Sequence, residues 1–83
     1  ICAAPKVLGE AGLLNGKKAT AYPSFLDAVD FPEVTYTGAP VEQDGKIITG
    51  RGPGTAMDFA LELIAALVDK ETRDAIEAQL VRP

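Results

Sequence analysis

Histidine and tryptophan are missing from this chain, and cysteine occurs once, at Cys2. One thiol forms no internal disulfide, and without imidazole it supplies no ligand set for finger-type or ribbon-type zinc sites, so no metal is expected. A lone thiol suits a reducing cytosol, and a cytoplasmic location is expected. Basic charge is also scarce, with 8 Lys and Arg against 12 Asp and Glu for a net charge of −4. No Lys/Arg cluster stands beside aromatic residues, so the chain lacks the footprint that neutralises phosphates, and no nucleic acid partner is expected. No apolar run approaches the roughly 18 residues of a spanning helix, and no basic-then-apolar leader opens the chain. Neither membrane nor secretion is indicated.

What is present is ordinary globular composition. Over 83 residues, 47% are hydrophobic and 24% charged, which fits one small domain with a packed core. The chain opens Ile1-Cys2-Ala3-Ala4-Pro5 with no initiator Met and no polar lead-in. It reads as a piece of a longer protein.

Pro5 to Leu14 predicts a short helix with Pro in its first turn and Asn15-Gly16 as its stop, weakened by Gly9 and Gly12. Lys17 to Tyr22 reads as extended, Pro23 breaks it, and Ser24 is placed to cap one helical turn through Val29. The alternation Glu33-Val-Thr-Tyr-Thr37 predicts a strand. Asp44-Gly45, between extended segments over 41–49, marks a tight hairpin that needs a positive φ. A glycine-rich loop over 49–55 follows, and Thr55 is placed to cap a helix over 56–68. Only Asp58 and Glu62 interrupt the apolar surface of that helix, so most of its circumference should be covered and the two acids should form a narrow solvent stripe. Asp69 is placed to cap a last helix over 71–80, with Ala75, Ile76, Gln79 and Leu80 inward. Strand and helix patterns alternate, which predicts an α/β layered domain.

Few residues carry chemistry. Cys2 follows an apolar residue and opens a helix, the arrangement of a strand-turn-helix elbow, where the positive end of the helix dipole favours a thiolate nucleophile. A lone Cys is otherwise a small buried hydrophobe. The loop Gly50-Arg51-Gly52-Pro53-Gly54-Thr55 lacks the Lys-Ser/Thr pair of a phosphate-binding loop, so it reads as a tight strand-to-helix connection. Arg51 is its one cation, suited to an ion pair or an anion. Tyr22 and Tyr36 fit core or edge aromatics.

Taken together, Ile1-Cys2-Ala3-Ala4-Pro5, the Gly16-Lys-Lys-Ala-Thr-Ala-Tyr-Pro23 segment and Asp44-Gly-Lys-Ile-Ile-Thr-Gly-Arg-Gly-Pro-Gly-Thr55 resemble the DJ-one/ThiJ/PfpI superfamily, in its parkinsonism-associated deglycase-like branch. The resemblance implies the C-terminal half of a flavodoxin-like α/β sandwich, with a mostly parallel central sheet and a β-hairpin, starting at the nucleophile elbow. It implies Cys2 as the elbow cysteine and the Ala3 N–H as an oxyanion donor. Tyr22 and Pro23 would then border the substrate, with Arg51, Gly52, Pro53 and Gly54 in a structural loop near the site or at a dimer interface. The activity implied is cofactor-free, glyoxalase III-like or deglycase-like attack on small 2-oxoaldehydes or their adducts. The alternative implied is a redox-sensing or chaperone-type oxidative-stress protein whose cysteine is oxidised. The family's proton-shuttling glutamate lies in the other half of the domain. A complementary N-terminal chain, a homodimer and a small aldehyde are therefore the expected partners, and the chain alone should be inert. Where relatives often carry His, Tyr22 stands, a poor base near neutral pH.

Overall fold

The computed structural model describes residues 1–83 and measures 41 × 23 × 16 Å along its principal axes. In so thin a body only 13 residues are buried, and the core is correspondingly local. It joins Leu14, Ala19, Ala21, Leu26 and Val34, with Leu8, Phe25, Phe31 and Ile47 packed against them.

Helix α1 covers Pro5–Glu10. It ends well before Leu14, because Gly12 takes a φ of 77° and the chain turns there. Gly9 lies inside it for a packing reason, since a Cβ there would stand 2.8 Å from Phe31 Cε1. Strand β1 (Lys18–Ala19) pairs in parallel with β2 (Thr35–Tyr36), in the register Lys18 to Thr35 and Ala19 to Tyr36. The connection between them holds no helix, only isolated turns, one of them closed by Phe31 N–H on the Asp27 carbonyl at 2.9 Å. Ser24 has a φ of 81°, whereas an N-cap needs extended backbone, so the turn expected over 24–29 does not form.

Strands β3 (Val41–Asp44) and β4 (Ile47–Gly50) form the expected antiparallel hairpin. Asp44 faces Ile47, so the two-residue loop is Gly45-Lys46 and Asp44 belongs to the strand. Gly45 supplies the positive φ, 62°, as the first central residue of such a turn requires. The hairpin and the parallel pair form separate two-stranded sheets, joined through side chains. Lys18 N–H donates to Asp44 Oδ2 at 2.9 Å, and the buried Thr20 N–H donates to Thr49 Oγ1 at 2.9 Å. Thr20 Oγ1 in turn donates to the Ala39 carbonyl at 2.7 Å. The fold is thus a small α/β unit with a parallel pair and a hairpin.

A 3-10 turn over Pro53–Thr55 leads into α2 (Ala56–Leu67). Thr55 does not cap α2, because its hydroxyl is turned back onto the Gly52 N–H and carbonyl. Of α2 only Leu61 is buried, while Met57 and Leu67 are exposed. The hairpin and α3 both pack against this helix yet leave Met57 and Leu67 uncovered, so the expected burial of most of its circumference is not met within the chain. Asp58 also departs from the expected solvent stripe, for it pairs with Arg82 at 2.6 Å.

Helix α3 (Lys70–Leu80) starts as expected, with Asp69 Oδ1 accepting the Thr72 N–H at 2.7 Å. That bond holds the Asp69 carboxyl below the ordinary carboxylate range. Its inward face differs from the predicted stripe. Thr72, Arg73, Ile76 and Glu77 are half-buried, whereas Ala75, Gln79 and Leu80 face outward. Arg73 bonds Asp74 and Glu77, each at 2.7 Å, and the Asp74 bond raises its pKa first, with the field of Glu62 adding. Arg82, just beyond α3, pairs with Asp58 of α2 and lies 3.7 Å from Glu77, so this side of α3 carries ionic as well as apolar contacts.

Candidate active site

Three segments converge at the start of the chain. Cys2 N–H donates to the Gly50 carbonyl at the end of β4, at 3.1 Å. Its own carbonyl accepts the Tyr22 N–H at 2.8 Å. Cys2 is therefore held on one side by the hairpin and on the other by the continuation of β1. Between these two bonds its backbone takes a φ of 61°, a left-handed conformation that costs a side-chain-bearing residue roughly 1–2 kcal/mol. Such strain persists only where the surroundings over-determine it.

The elbow closes because Gly50 has no side chain. A Cβ there would stand 2.9 Å from Phe59 Cδ1 and 3.0 Å from Ile1 Cγ1. Phe59 on α2 and Ile1 thus press on the backbone that receives Cys2. After the elbow, Ala4 N–H donates to the Ile1 carbonyl and Lys6 N–H to the Ala3 carbonyl, both at 3.1 Å. The Ala3 N–H donates to no group of the chain. Cys2 is a free thiol of intermediate exposure. With only six residues, α1 carries less dipole than the longer helix expected.

Next to the elbow lies an open cleft of about 220 Å³, lined by Tyr22, Pro23, Arg51 and the Gly52–Thr55 turn. The residues that sequence reasoning nominated in two distant segments thus form one wall-to-wall surface. Tyr22 is 48% exposed, and its ring meets Phe25 edge-on at 6.2 Å. Arg51 Nη1 donates to the Gly38 carbonyl at 2.9 Å, and Arg51 N–H to that of Pro40 at 3.1 Å. Thr55 locks the turn, its Oγ1 accepting the Gly52 N–H at 3.3 Å and donating to the Gly52 carbonyl at 3.2 Å.

A larger cavity, about 630 Å³, is lined chiefly by Lys6, Glu10, Asn15, Asp30 and Glu33. None of its lining residues bonds Cys2, whereas Tyr22 of the smaller cleft does, so size does not mark the chemistry here. No group of three or more His, Cys, Asp or Glu side chains is arranged to hold a metal. Sequence reasoning missed two supporting residues. Gly50 was visible only as the start of a glycine-rich loop, because folding alone brings it to Cys2, and Thr55 only as a cap, because its hydroxyl could equally bond the Gly52 backbone three positions back.

The DJ-1/PfpI family model matches residues 1–66, from the elbow through most of α2. This chain belongs to the DJ-1/PfpI family. Among the relatives, Protein DJ-1 homolog A of Arabidopsis thaliana is 45% identical over 85 residues, covering 100% of this chain and 22% of the relative. The isonitrile hydratase of Pseudomonas putida is 36% identical, over 96% of this chain and 35% of that enzyme. Among solved structures, oxidised Toxoplasma gondii DJ-1 superposes with a TM-score of 0.84 at 44% identity, covering 96% of this chain and 43% of that one. The chain spans less than half the length of these DJ-1/PfpI relatives. The fold shared with them is the flavodoxin-like DJ-1 fold, of which this α/β unit is a part. No helix of the chain is long and apolar enough to cross a membrane.

Proposed function

We propose that this chain is the nucleophile-bearing part of a cofactor-independent, cysteine-dependent glyoxalase III-like or deglycase-like protein acting on small 2-oxoaldehydes or their adducts. One observation carries the reading: a cysteine, not a glycine, occupies the left-handed position at 61°, held from both sides by backbone hydrogen bonds. Strain kept at a reactive side chain supports a catalytic role. In this reading Cys2 attacks the aldehyde carbon as the thiolate, and the developing oxyanion is met by the Ala3 N–H. Tyr22 and Pro23 border the substrate, while Arg51 to Gly54 shape the cleft or a dimer interface. Proton transfer falls to a carboxylate from a complementary segment of the same domain.

In the full-length protein, consumption of a small 2-oxoaldehyde should be lost in Cys2→Ser. Equal turnover in wild type and variant would remove the reading.

A second reading is a redox-sensing or chaperone-type role. It is favoured by the oxidised state in which a 44% identical relative was solved. It expects no turnover, and a gain of two oxygens at Cys2 in intact mass after mild peroxide.

A further inference from the structure

The cleft beside Cys2 offers hydrogen-bond donors and is lined by no carboxylate. Arg51 belongs to none of the chain's ion pairs. Its Nη1 is pinned to the Gly38 carbonyl at 2.9 Å, which orients the planar fork and leaves its other N–H groups without a partner in the chain. The nearest carboxylates in sequence on either side are engaged elsewhere. Asp44 accepts the Lys18 N–H at 2.9 Å, and Asp58 is paired with Arg82 at 2.6 Å. Across the cleft stands Tyr22, 48% exposed. Tyr36, the other tyrosine, donates to the Ala21 carbonyl at 3.2 Å, whereas the Tyr22 hydroxyl has no partner in the chain.

Both groups are tied to the nucleophile. Gly50, which accepts the Cys2 N–H, precedes Arg51, and Tyr22 donates its own N–H to the Cys2 carbonyl. We propose that Arg51 and Tyr22 form a carboxylate subsite beside Cys2, so that a short carbonyl compound carrying a carboxylate on its carbonyl carbon is attacked in preference to a neutral 2-oxoaldehyde. This rests on the reading of Cys2 as a nucleophile and adds an anionic substrate class to it. In the step, the thiolate lone pair forms a C–S bond and the C=O π pair moves to oxygen, which takes the proton held by the carboxyl group of the complementary segment. A hemithioacetal or hemithioketal results, and no oxidant or reductant is consumed. A guanidinium fork matches a carboxylate by two parallel hydrogen bonds, which a lysine cannot reproduce.

The test compares alkylation of Cys2 in the full-length protein by iodoacetate and by iodoacetamide. In both, a C–S bond forms at the methylene carbon and iodide leaves with the C–I pair, so the reagents differ chiefly in the charge next to the reacting carbon. The iodoacetate-to-iodoacetamide rate ratio, divided by that of glutathione, should be about tenfold above unity, the scale of a charge-assisted contact. Arg51→Gln should abolish most of that preference, and Tyr22→Phe part of it, with the ring kept. A ratio equal to that of glutathione, or unchanged in Arg51→Gln, overturns the subsite, while rapid reaction with the neutral reagent leaves the nucleophile standing. A Cys2 slow toward both reagents removes nucleophile and subsite together. Should Arg51→Gln fail to fold on losing its tie to Gly38, Tyr22→Phe decides, and an unchanged ratio there overturns the proposal.

Discussion

The backbone N–H of Tyr22 donates to the carbonyl of Cys2 at 2.8 Å, so the residue that forms the aromatic wall of the cleft is tied directly to the backbone of the thiol-bearing residue. Strain at Cys2 is held in place by this bond and by its counterpart from Cys2 N–H to Gly50.

Relief of that strain should be measurable. At a φ of 61° glycine is unstrained, so Cys2→Gly is expected to be more stable than Cys2→Ala by about 1 kcal/mol. Urea denaturation of the two full-length variants checks this, and equal midpoints would show that the elbow is not under strain.

Gly50 should tolerate no side chain. A Cβ 2.9 Å from Phe59 Cδ1 and 3.0 Å from Ile1 Cγ1 forces Phe59 or the elbow to shift, and overpacking of this kind costs about 1–3 kcal/mol. Gly50→Ala is expected to lower the thermal midpoint and to change the iodoacetamide reactivity of Cys2. Val29→Ala, at a side chain 92% exposed and outside the cleft, serves as the control and should leave the reactivity of Cys2 as it is.

Thr49 holds the two small sheets together. Thr49→Val removes the acceptor of the buried Thr20 N–H and leaves a polar group unsatisfied, at a cost of about 1–3 kcal/mol. Hydrogen exchange at the Thr20 amide should quicken in the variant, ahead of exchange in α3.

Helix α3 should loosen in acid. The carboxyl of Asp69 is lowered in the folded chain chiefly by the Thr72 N–H bond. A lowered folded value means that its stabilisation is present above the unfolded carboxylate value and is lost as pH falls through the lowered one. Amide exchange at Thr72 is expected to rise over that acid window, and Asp69→Asn should remove the pH dependence while keeping a cap.

The hairpin, the start of α3 and the existence of α2 were legible in the sequence, because each depends on contacts within a few residues. Gly45 supplies its own left-handed φ, and Asp69 bonds an N–H three positions on. The site residues Cys2, Tyr22, Pro23 and Arg51 to Gly54 were legible as candidates from motif resemblance. Their assembly was not, since nothing local says that Gly50 would meet Cys2, or that Pro23 and Pro53 would share a cleft.

The helical turn expected at Ser24 failed because Ser24 went left-handed at 81°, and the expected cap at Thr55 failed because Gly52 offered its hydroxyl two closer partners. At Thr55 one local contact, to the backbone three residues back, displaced another, because preferences of this kind are worth at most a few kcal/mol. By itself, then, the sequence determined composition class, the hairpin turn and the single cysteine that is the candidate nucleophile. Tertiary structure decided that Cys2 is strained and which residues its backbone meets, because long-range backbone bonds hold a conformation that no short stretch of chain would adopt alone.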